Sequence, residues 1–283
     1  MLKNVILNLK LILRKYAFRK VLSQSQVKLC NLFNKLNGIF FSSPVKLSWL
    51  EESNHYRIQD MEFKDQTFEI FNSRKERLPL YFSGIAHRVQ SLANKYFLAD
   101  LDINNGDVII DCGANVGELG KYFQMEGIEV AYHAFDPSEQ ETVSAQLNNP
   151  KGFIQTAGLW KKTGKLPLFE KNETADSSFI EFKGHHSTIE IDVITLDDYI
   201  MKNKIESVKL LKLEAEGAEP EILEGAKKVI NRIQWISADC GPERGLSKDM
   251  TFKPVMNFLV QNGFEIEALN PKKSVVLLKN KLF

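Results

Sequence analysis

A short apolar run followed by a glycine-containing turn most constrains the fold of this chain. Val108-Ile109-Ile110 has the length and β-branched composition of a buried strand, and the segment that follows, Asp111 to Gly117, carries glycines at 113 and 117. Glycine lets the backbone turn sharply and approach a ligand closely, and ligands of parallel sheets bind at the carboxyl ends of strands. The segment therefore predicts a nucleotide-type cofactor at a strand-to-helix turn.

The rest of the chain alternates between strand-like and helix-like segments. Strand-length apolar runs occur at 108–111, 130–135, 153–159, 208–213 and 233–238, and helical periodicity at 117–125, 139–147, 220–231 and 252–261. This alternation predicts an α/β fold with a doubly wound, mostly parallel sheet. Segments 264–269 and 274–278 predict a terminal antiparallel strand pair, and 165–193 predicts a hairpin excursion.

The composition of the turn limits the class of cofactor. A dinucleotide-binding turn has the pattern Gly-x-Gly-x-x-Gly, whose second glycine is replaced here by Asn115, and a P-loop pattern is missing from the sequence. Asp136 ends the next predicted strand, 25 residues after Asp111, where an acid can accept hydrogen bonds from ribose hydroxyls. These features indicate a cofactor with adenosine and no phosphates. In the alternative interpretation, the glycines only shape the turn and Asp136 caps the next helix.

Four motifs together resemble one family of enzymes. They are Asp111-x-Gly113-Ala114-Asn115-x-Gly117, Phe135-Asp136-Pro137, Thr195-Leu196-Asp197-Asp198 and Lys212-x-Glu214-x-Glu216-Gly217-x-Glu219. From about residue 106 to 263 the chain is similar to the FkbM family of methyltransferases. The resemblance implies a Rossmann-like class I methyltransferase fold and S-adenosylmethionine as methyl donor. Glu214 stands where that family usually has Asp, and Asp136 and Asp239 stand where it usually has Glu.

The resemblance also implies a set of cofactor-binding residues. They are Asp111, Gly113, Ala114, Asn115, Gly117, Asp136, Pro137, Asp176 and Ser177. Gly113 and Gly117 are expected at the amino-acid end of the cofactor and Asp136 at its ribose. The segment from Asp176 resembles one that lies near the adenine in such folds, although it also has the composition of an ordinary polar turn.

Charged residues at the end of the predicted strand 208–213 are the candidates for catalysis. Lys212, Glu214 and Glu216 share one face by period-two alternation, and Asp239 follows the next strand. Methyl transfer to oxygen requires a group that removes the proton of the acceptor. We expect the three acids to serve this deprotonation and Lys212 to hold Glu214 in place.

Three other interpretations of these residues stay open. In the first, Lys212 and Glu214 form an ion pair whose role is only to order the site. In the second, Glu214, Glu216 and Asp239 bind a divalent cation that acidifies a hydroxyl of the acceptor. In the third, His185-His186 supplies the general base instead of being a solvated pair of loop residues.

By this resemblance the expected function is O-methylation of a hydroxyl on a sugar or glycan precursor, so a small-molecule or glycan substrate is expected. The alternative is a catalytically silent S-adenosylmethionine-binding scaffold in a glycan-assembly complex. The presence of all three candidate acids favours the enzyme. A nicotinamide-dependent enzyme is disfavoured by Asn115.

The amino-terminal segment differs in charge from the rest of the chain. The first 50 residues contain nine Lys or Arg and no acid, which predicts a basic amphipathic helical extension over 1–50 and a methyltransferase domain over 51–283, with its core from about 101. One or two helices are expected before Gly38, a strand over 61–71 and a helix over 85–101. The arm from Met1 to Pro44 either lies on an anionic membrane surface or packs on protein.

Composition and cysteine content restrict the setting. A net charge of +1 gives no reason to expect a nucleic-acid partner. Three widely spaced cysteines suggest neither a disulfide framework nor a zinc site. With no cleavable signal peptide evident, the sequence predicts a cytoplasmic protein, with peripheral contact to the inner face of the membrane as the variant that the basic arm suggests.

Overall fold

The computed structural model describes residues 17, 19–63, 68–171 and 177–283. The chain divides into two compact units, Met1–Val89 and Gln90–Phe283. The charge break at residue 50 thus lies within the first unit rather than at its end. The segment 1–16, with most of the predicted amphipathic pattern, and Asp176 lie outside the described residues.

The first unit combines helical segments with a three-stranded antiparallel meander. A helix spans Gln26–Leu36 and continues as one π-helical turn, and three strands follow: β1 (Val45–Leu50), β2 (His55–Asp60) and β3 (Phe68–Asn72). The Asn34 amide donates to the Leu47 carbonyl and accepts from its N–H, which fixes the helix to β1. The helix before Gly38 confirms the prediction. Of the strand predicted over 61–71, only the part from Phe68 is a strand, because the chain bends at residues 61–62 after β2, and 64–67 lie outside the described residues. The strands β1 and β2 were not predicted.

A seven-stranded sheet forms the centre of the second unit. Its strands are β4 (Val108–Cys112), β5 (Ala131–Asp136), β6 (Phe153–Thr156), β10 (Val208–Leu213), β11 (Ile233–Asp239), β14 (Phe264–Asn270) and β15 (Val275–Asn280). Their order is β14-β15-β11-β10-β4-β5-β6, with β15 antiparallel to its neighbours β14 and β11, and with all pairs from β11 to β6 parallel. This is the doubly wound sheet with a terminal antiparallel pair that the sequence predicted.

Helices of the second unit connect these strands. They span Glu118–Glu126, Glu139–Asn148, Leu196–Lys202, Glu219–Glu224 and Phe252–Gln261. A further helix, Ile85–Lys95, contains the boundary between the two units in sequence. The helix Leu196–Lys202 was not predicted; it is capped by the Thr195 hydroxyl, which accepts from the Asp198 N–H at 2.9 Å. The helix predicted over 220–231 ends at Glu224, because the chain turns at Gly225, where an added Cβ would overlap the Trp160 carbonyl.

Two smaller sheets are formed by segments between strands of the central sheet. The predicted excursion forms β8 (Gly164–Glu170) and β9 (Ser187–Ile194), which are antiparallel, as the hairpin prediction required. The end of the strand predicted over 153–159 leaves the central sheet and pairs with β9 as β7 (Gly158–Leu159). After β11 a short hairpin pairs β12 (Pro242–Arg244) with β13 (Asp249–Met250).

The interior strands of the central sheet are almost fully buried. Leu210, Leu211 and Leu213 of β10 have no exposed surface, as expected for a parallel strand covered on both faces. Cys30, Cys112 and Cys240 are buried and form no disulfide. No helix in the described part of the chain is long and apolar enough to cross a membrane.

Candidate functional site

The order of the central sheet reverses at β4. From β4 the chain first adds β5 and β6 on one side and later returns to place β10 on the other side. Asp111 in β4 lies opposite Lys212 in β10. In sheets of this kind ligands bind in the crevice at the carboxyl ends of the strands where the order reverses, so the turn after β4 lies where a cofactor is expected.

The turn after β4 requires its glycines. Gly113 and Gly117 have φ of +72° and +74°, and Asn115 between them has φ of +50°. The N–H groups of Gly113 and Ala114 both donate to the Phe135 carbonyl, at 2.9 and 3.0 Å. A Cβ at Gly113 would overlap the Glu214 carbonyl oxygen, because the backbone after β10 passes directly against the turn. The sequence predicted the turn, and the structure shows what it packs against.

Asp136 is held at the end of β5 by backbone hydrogen bonds. Its carboxylate accepts from the N–H groups of Asn115 and Ser138, both at 2.9 Å. Burial outweighs these bonds and, together with Glu141, raises the pKa of Asp136 to about 6.

This arrangement fits an adenosine cofactor. Each oxygen of Asp136 accepts one backbone N–H and keeps a second acceptor position, which is what a pair of ribose hydroxyls needs. The side chain lies on the strand next to β4, beside the glycine turn. Pro137 follows it at the start of the loop and is partly exposed.

The buried side chain of Lys212 connects β10 to the turn after β4. It is 2% exposed, and its Nζ donates to the carbonyls of Cys112 and Gly113 at 3.0 and 2.7 Å. The same Nζ lies 3.1 Å from Asp111 Oδ1 and 3.1 Å from Glu214 Oε2. Burial disfavours the charged ammonium, but these carboxylates outweigh burial and raise the pKa of Lys212 above its usual value. Lys212 therefore stays charged and fixes the turn.

Asp111 is engaged by protein groups on both of its oxygens. The Tyr132 hydroxyl donates to Oδ2 at 2.6 Å, and Lys212 lies 3.1 Å from Oδ1. Asp111 is 1% exposed. The structure thus places this predicted cofactor residue below the turn, where it neutralises Lys212.

A second lysine, which the sequence did not identify, lies among the acids. Lys95 Nζ is 2.8 Å from Glu214 Oε1 and 2.9 Å from Asp239 Oδ2. Tyr96 lies beneath it, with the Lys95 Nζ 4.7 Å and the Lys212 Nζ 5.3 Å from the ring centroid. Lys95 ends a helix and Tyr96 follows it, about 120 residues before Glu214, and no spacing in the sequence connects the two segments.

The two lysines govern the ionisation of Glu214. Burial opposes its negative charge, but Lys212 and Lys95 outweigh that penalty and hold the pKa of Glu214 well below its usual range. Glu214 is therefore a carboxylate at all physiological pH values. A carboxylate with so low a pKa is a weak base.

The chain turns sharply after Glu214, and this separates Glu216 from the strand pattern. β10 ends at Leu213, and Glu216 has φ of +49°. The Ser178 hydroxyl donates to the Glu216 carbonyl at 2.8 Å. The prediction that Glu216 shares a face with Lys212 by strand alternation was therefore wrong, because the alternation does not continue past the strand.

The loop carrying Glu216 is fastened from two sides. Glu219 Oε1 accepts from the N–H groups of Ala215 and Gly217, at 2.8 and 3.2 Å. Arg244 donates to the Gly217 carbonyl and forms a bidentate pair with Glu221 at 2.8 and 2.7 Å. Glu219 is the last acid of the motif that begins at Lys212. Because its carboxylate accepts from two N–H groups of the loop, its role is to hold that loop.

The remaining candidates are distributed differently. His185 Nδ1 donates to the Phe182 carbonyl, 3.0 Å away, and its ring contacts Phe169 edge-on, whereas His186 is exposed. Ser177 is partly exposed beside the buried Ser178. Within the residues that the structure describes, no three acid, histidine or cysteine side chains are grouped to hold a metal ion. Lys95 occupies the position between Glu214 and Asp239, so the divalent-cation interpretation has no support.

The model of the methyltransferase FkbM domain matches residues 111–266, more than half of the chain. This protein belongs to the FkbM methyltransferase family. It is thus an S-adenosylmethionine-dependent methyltransferase with a Rossmann-like fold, and the matched range contains the glycine turn, Asp136 and the two strands that carry the acids.

Three proteins similar to this FkbM methyltransferase share 12 to 21% of its residues. The 2-O-methyltransferase NoeI of Sinorhizobium fredii is 21% identical, over 74% of this chain and 93% of that protein. Magnesium protoporphyrin IX methyltransferase from Synechocystis, solved with S-adenosylmethionine, is 14% identical with a TM-score of 0.42, covering 69% of this chain and 79% of that one. A putative rRNA methylase from Clostridium thermocellum is 12% identical with a TM-score of 0.41, covering 66% and 95%.

Proposed function

We propose that this protein transfers a methyl group from S-adenosylmethionine to a hydroxyl of a sugar or glycan precursor. The observation that carries the proposal is the family membership together with the similarity to NoeI, which is a 2-O-methyltransferase. The identity of 21% supports the reaction class, and the acceptor is our inference.

The chain's own residues then divide into binding and orienting groups. The cofactor supplies an electrophilic methyl group on a sulfonium. Asp136 accepts hydrogen bonds from the ribose, and the turn from Gly113 to Gly117 receives the amino-acid end. Lys212 holds this turn against β10, so the cofactor site is already shaped before binding.

The acids at the ends of β10 and β11 orient the acceptor. Glu214 and Asp239 are fixed by Lys95, which makes them preorganised hydrogen-bond acceptors for sugar hydroxyls. Glu216, in the loop that follows, completes the acceptor side. Because Glu214 and Asp239 are already ion-paired, positioning is the role we propose for them.

The function is tested with purified full-length protein and a panel of acceptors. S-adenosylhomocysteine and methylated product are measured by mass spectrometry with monosaccharides, methyl glycosides and nucleoside-diphosphate sugars, beside amine and carboxylate acceptors. Glu216→Gln should lower kcat at least about tenfold while affinity for S-adenosylhomocysteine is kept. Glu206→Gln, an exposed acid that precedes β10, is the matched control.

Two results would contradict this function. Methylation of amines alone would exclude O-methyl transfer, and methylation of carboxylates with no hydroxyl product would exclude a hydroxyl as the acceptor. Tight binding of S-adenosylhomocysteine with no transfer to any acceptor would favour the silent scaffold instead.

A further inference from the structure

The hairpin that follows β11 brings another acid to the site. Gly241 separates Asp239 from the β12 residue Glu243. A Cβ built on Gly241 would lie 3.3 Å from Asp239 Oδ1 and 3.3 Å from Glu243 Oε1. The two carboxyl groups therefore lie on the same side of Gly241, whose N–H donates to Asp239 Oδ1 at 3.1 Å, at the carboxyl edge of the sheet.

The hairpin holds Glu243 in a defined place. The adjacent Arg244 clamps onto the loop after β10 through the Gly217 carbonyl and the bidentate pair with Glu221. The contact is close, because a Cβ at Gly217 would lie 2.6 Å from the Arg244 Cα. Glu243 is thus carried by a backbone segment fixed to the loop of Glu216.

Glu243 differs from Glu214 and Asp239 in its lack of an ion-paired lysine among the described residues. Glu214 and Asp239 share Lys95, whereas within the described residues the Glu243 carboxylate has no ion pair. The side chain of Glu243 is exposed, but the surrounding protein removes part of its hydration, and this raises its pKa. The negative charges of Asp239, Glu214 and Glu219 raise the pKa further, to about 7, and they outweigh the opposite effect of Lys95. A general base works best when its pKa is near the operating pH.

We propose that Glu243 is the general base of the methyl transfer, an inference that rests on the proposed function. The Glu243 carboxylate takes the proton of the acceptor hydroxyl as its oxygen attacks the sulfonium methyl. An oxygen–carbon bond forms, the carbon–sulfur bond breaks, and the electron pair of that bond stays on sulfur. Glu243 ends as a neutral carboxylic acid, and Asp239 and Glu214 orient the hydroxyl without accepting its proton.

Kinetics of Glu243→Gln test the proposal in the full-length protein. With an acceptor found in the panel, kcat should fall about 100-fold or more, in the range of general-base catalysis, while affinity for S-adenosylhomocysteine measured by calorimetry is unchanged. In the unmodified protein kcat should rise with pH through about 7, because the base acts when deprotonated, and Glu243→Gln should lose this rise. Glu206→Gln should retain both rate and profile.

A measurement without acceptor separates this proposal from the proposed function. In a carbon-13 NMR titration of side-chain carboxyls, the signal missing in Glu243→Gln should titrate near pH 7 in the unmodified protein. A midpoint near the ordinary value of about 4.3 would overturn the proposal even if no acceptor is methylated. Turnover by Glu243→Gln within a few-fold of the unmodified protein would overturn it as well, while leaving the methyltransferase function intact.

Discussion

Asp136 is the buried carboxylate that we propose as the partner of the cofactor's ribose. Replacing it in Asp136→Asn removes charge-assisted hydrogen bonds to the ribose, which should cost roughly 1.5 to 3 kcal/mol, or about ten- to a hundredfold in affinity for S-adenosylhomocysteine. Because burial raises the pKa of Asp136 to about 6, affinity of the unmodified protein should fall as pH decreases below about 6, where the carboxylate is protonated. Calorimetry at pH 8 and pH 5 measures both effects.

The control for this prediction is Asp102→Asn, an exposed acid outside the site. It should leave affinity and its pH dependence unchanged. Undiminished affinity in a folded Asp136→Asn protein would show that this residue does not bind the ribose.

Single residues show where sequence reasoning succeeded and where it could not. The motif spacing identified Lys212, Glu214 and Asp239, because each stands at the end of a predicted strand. Lys95 and Tyr96 were missed, since their contact with Glu214 depends on how a helix packs on the sheet and leaves no periodic trace. Glu216 was assigned the wrong geometry because a left-handed turn interrupts the strand pattern, and nothing in its neighbours marked that turn except Gly217.

The contact between the glycine turn and the loop after β10 is the element-scale feature that shapes the site. In Gly113→Ala the new Cβ would overlap the Glu214 carbonyl, and alanine would be held at φ of +72°. The strained φ alone costs roughly 1 to 2 kcal/mol. Separating the two backbones adds to this, so the free energy of unfolding should fall by more than about 2 kcal/mol, measured by urea denaturation.

Gly127→Ala is a matched control for this change. Gly127 has φ of +70°, but no atom lies within 4 Å of the position of its Cβ. It should therefore show the cost of the strained φ without the overlap. Equal losses of stability in the two variants would mean that the turn can move away from the loop at no cost. That result would contradict the proposal that this contact shapes the site before binding.

Elements with a strong local signal were predicted well. The strand β10 was predicted at its observed bounds, and β4 and β11 to within one residue, because interior parallel strands are continuous apolar runs. β1 and β2 lie between the helical pattern that ends before Gly38 and the strand predicted from residue 61, and they were not predicted. The short helix Leu196–Lys202 was missed even though Thr195 is a good cap, because seven residues give little periodic pattern.

At the scale of the whole molecule, the membrane hypothesis for the basic arm from Met1 to Pro44 is kept only for the segment before the helix Gln26–Leu36, because that helix is fixed to β1. Several basic residues near an anionic bilayer contribute about 1 kcal/mol each, so we propose that the full-length protein binds vesicles rich in anionic lipid at low salt. Replacing Lys3, Lys10 and Arg14 together by Glu should abolish flotation with such vesicles. The triple replacement of Lys202, Lys204 and Lys209 by Glu, which alters the charge by the same amount elsewhere, should not.

Failure of the full-length protein to float with anionic vesicles at low salt would contradict the membrane proposal. Packing of the arm on protein would then be the better account of its apolar residues.

The bonds around Lys212 connect parts of the chain that are far apart in sequence. Lys212 is 100 residues from Cys112, and Lys95 is 119 residues from Glu214. Such contacts require large loops to close before they form, so they belong to the slow part of folding. During synthesis Lys212 must therefore remain hydrated until β10 has emerged and paired beside β4. The glycine turn after β4 therefore gains its final shape only after most of the polypeptide has been made. The meander of the first unit pairs neighbouring segments of the chain and can form early.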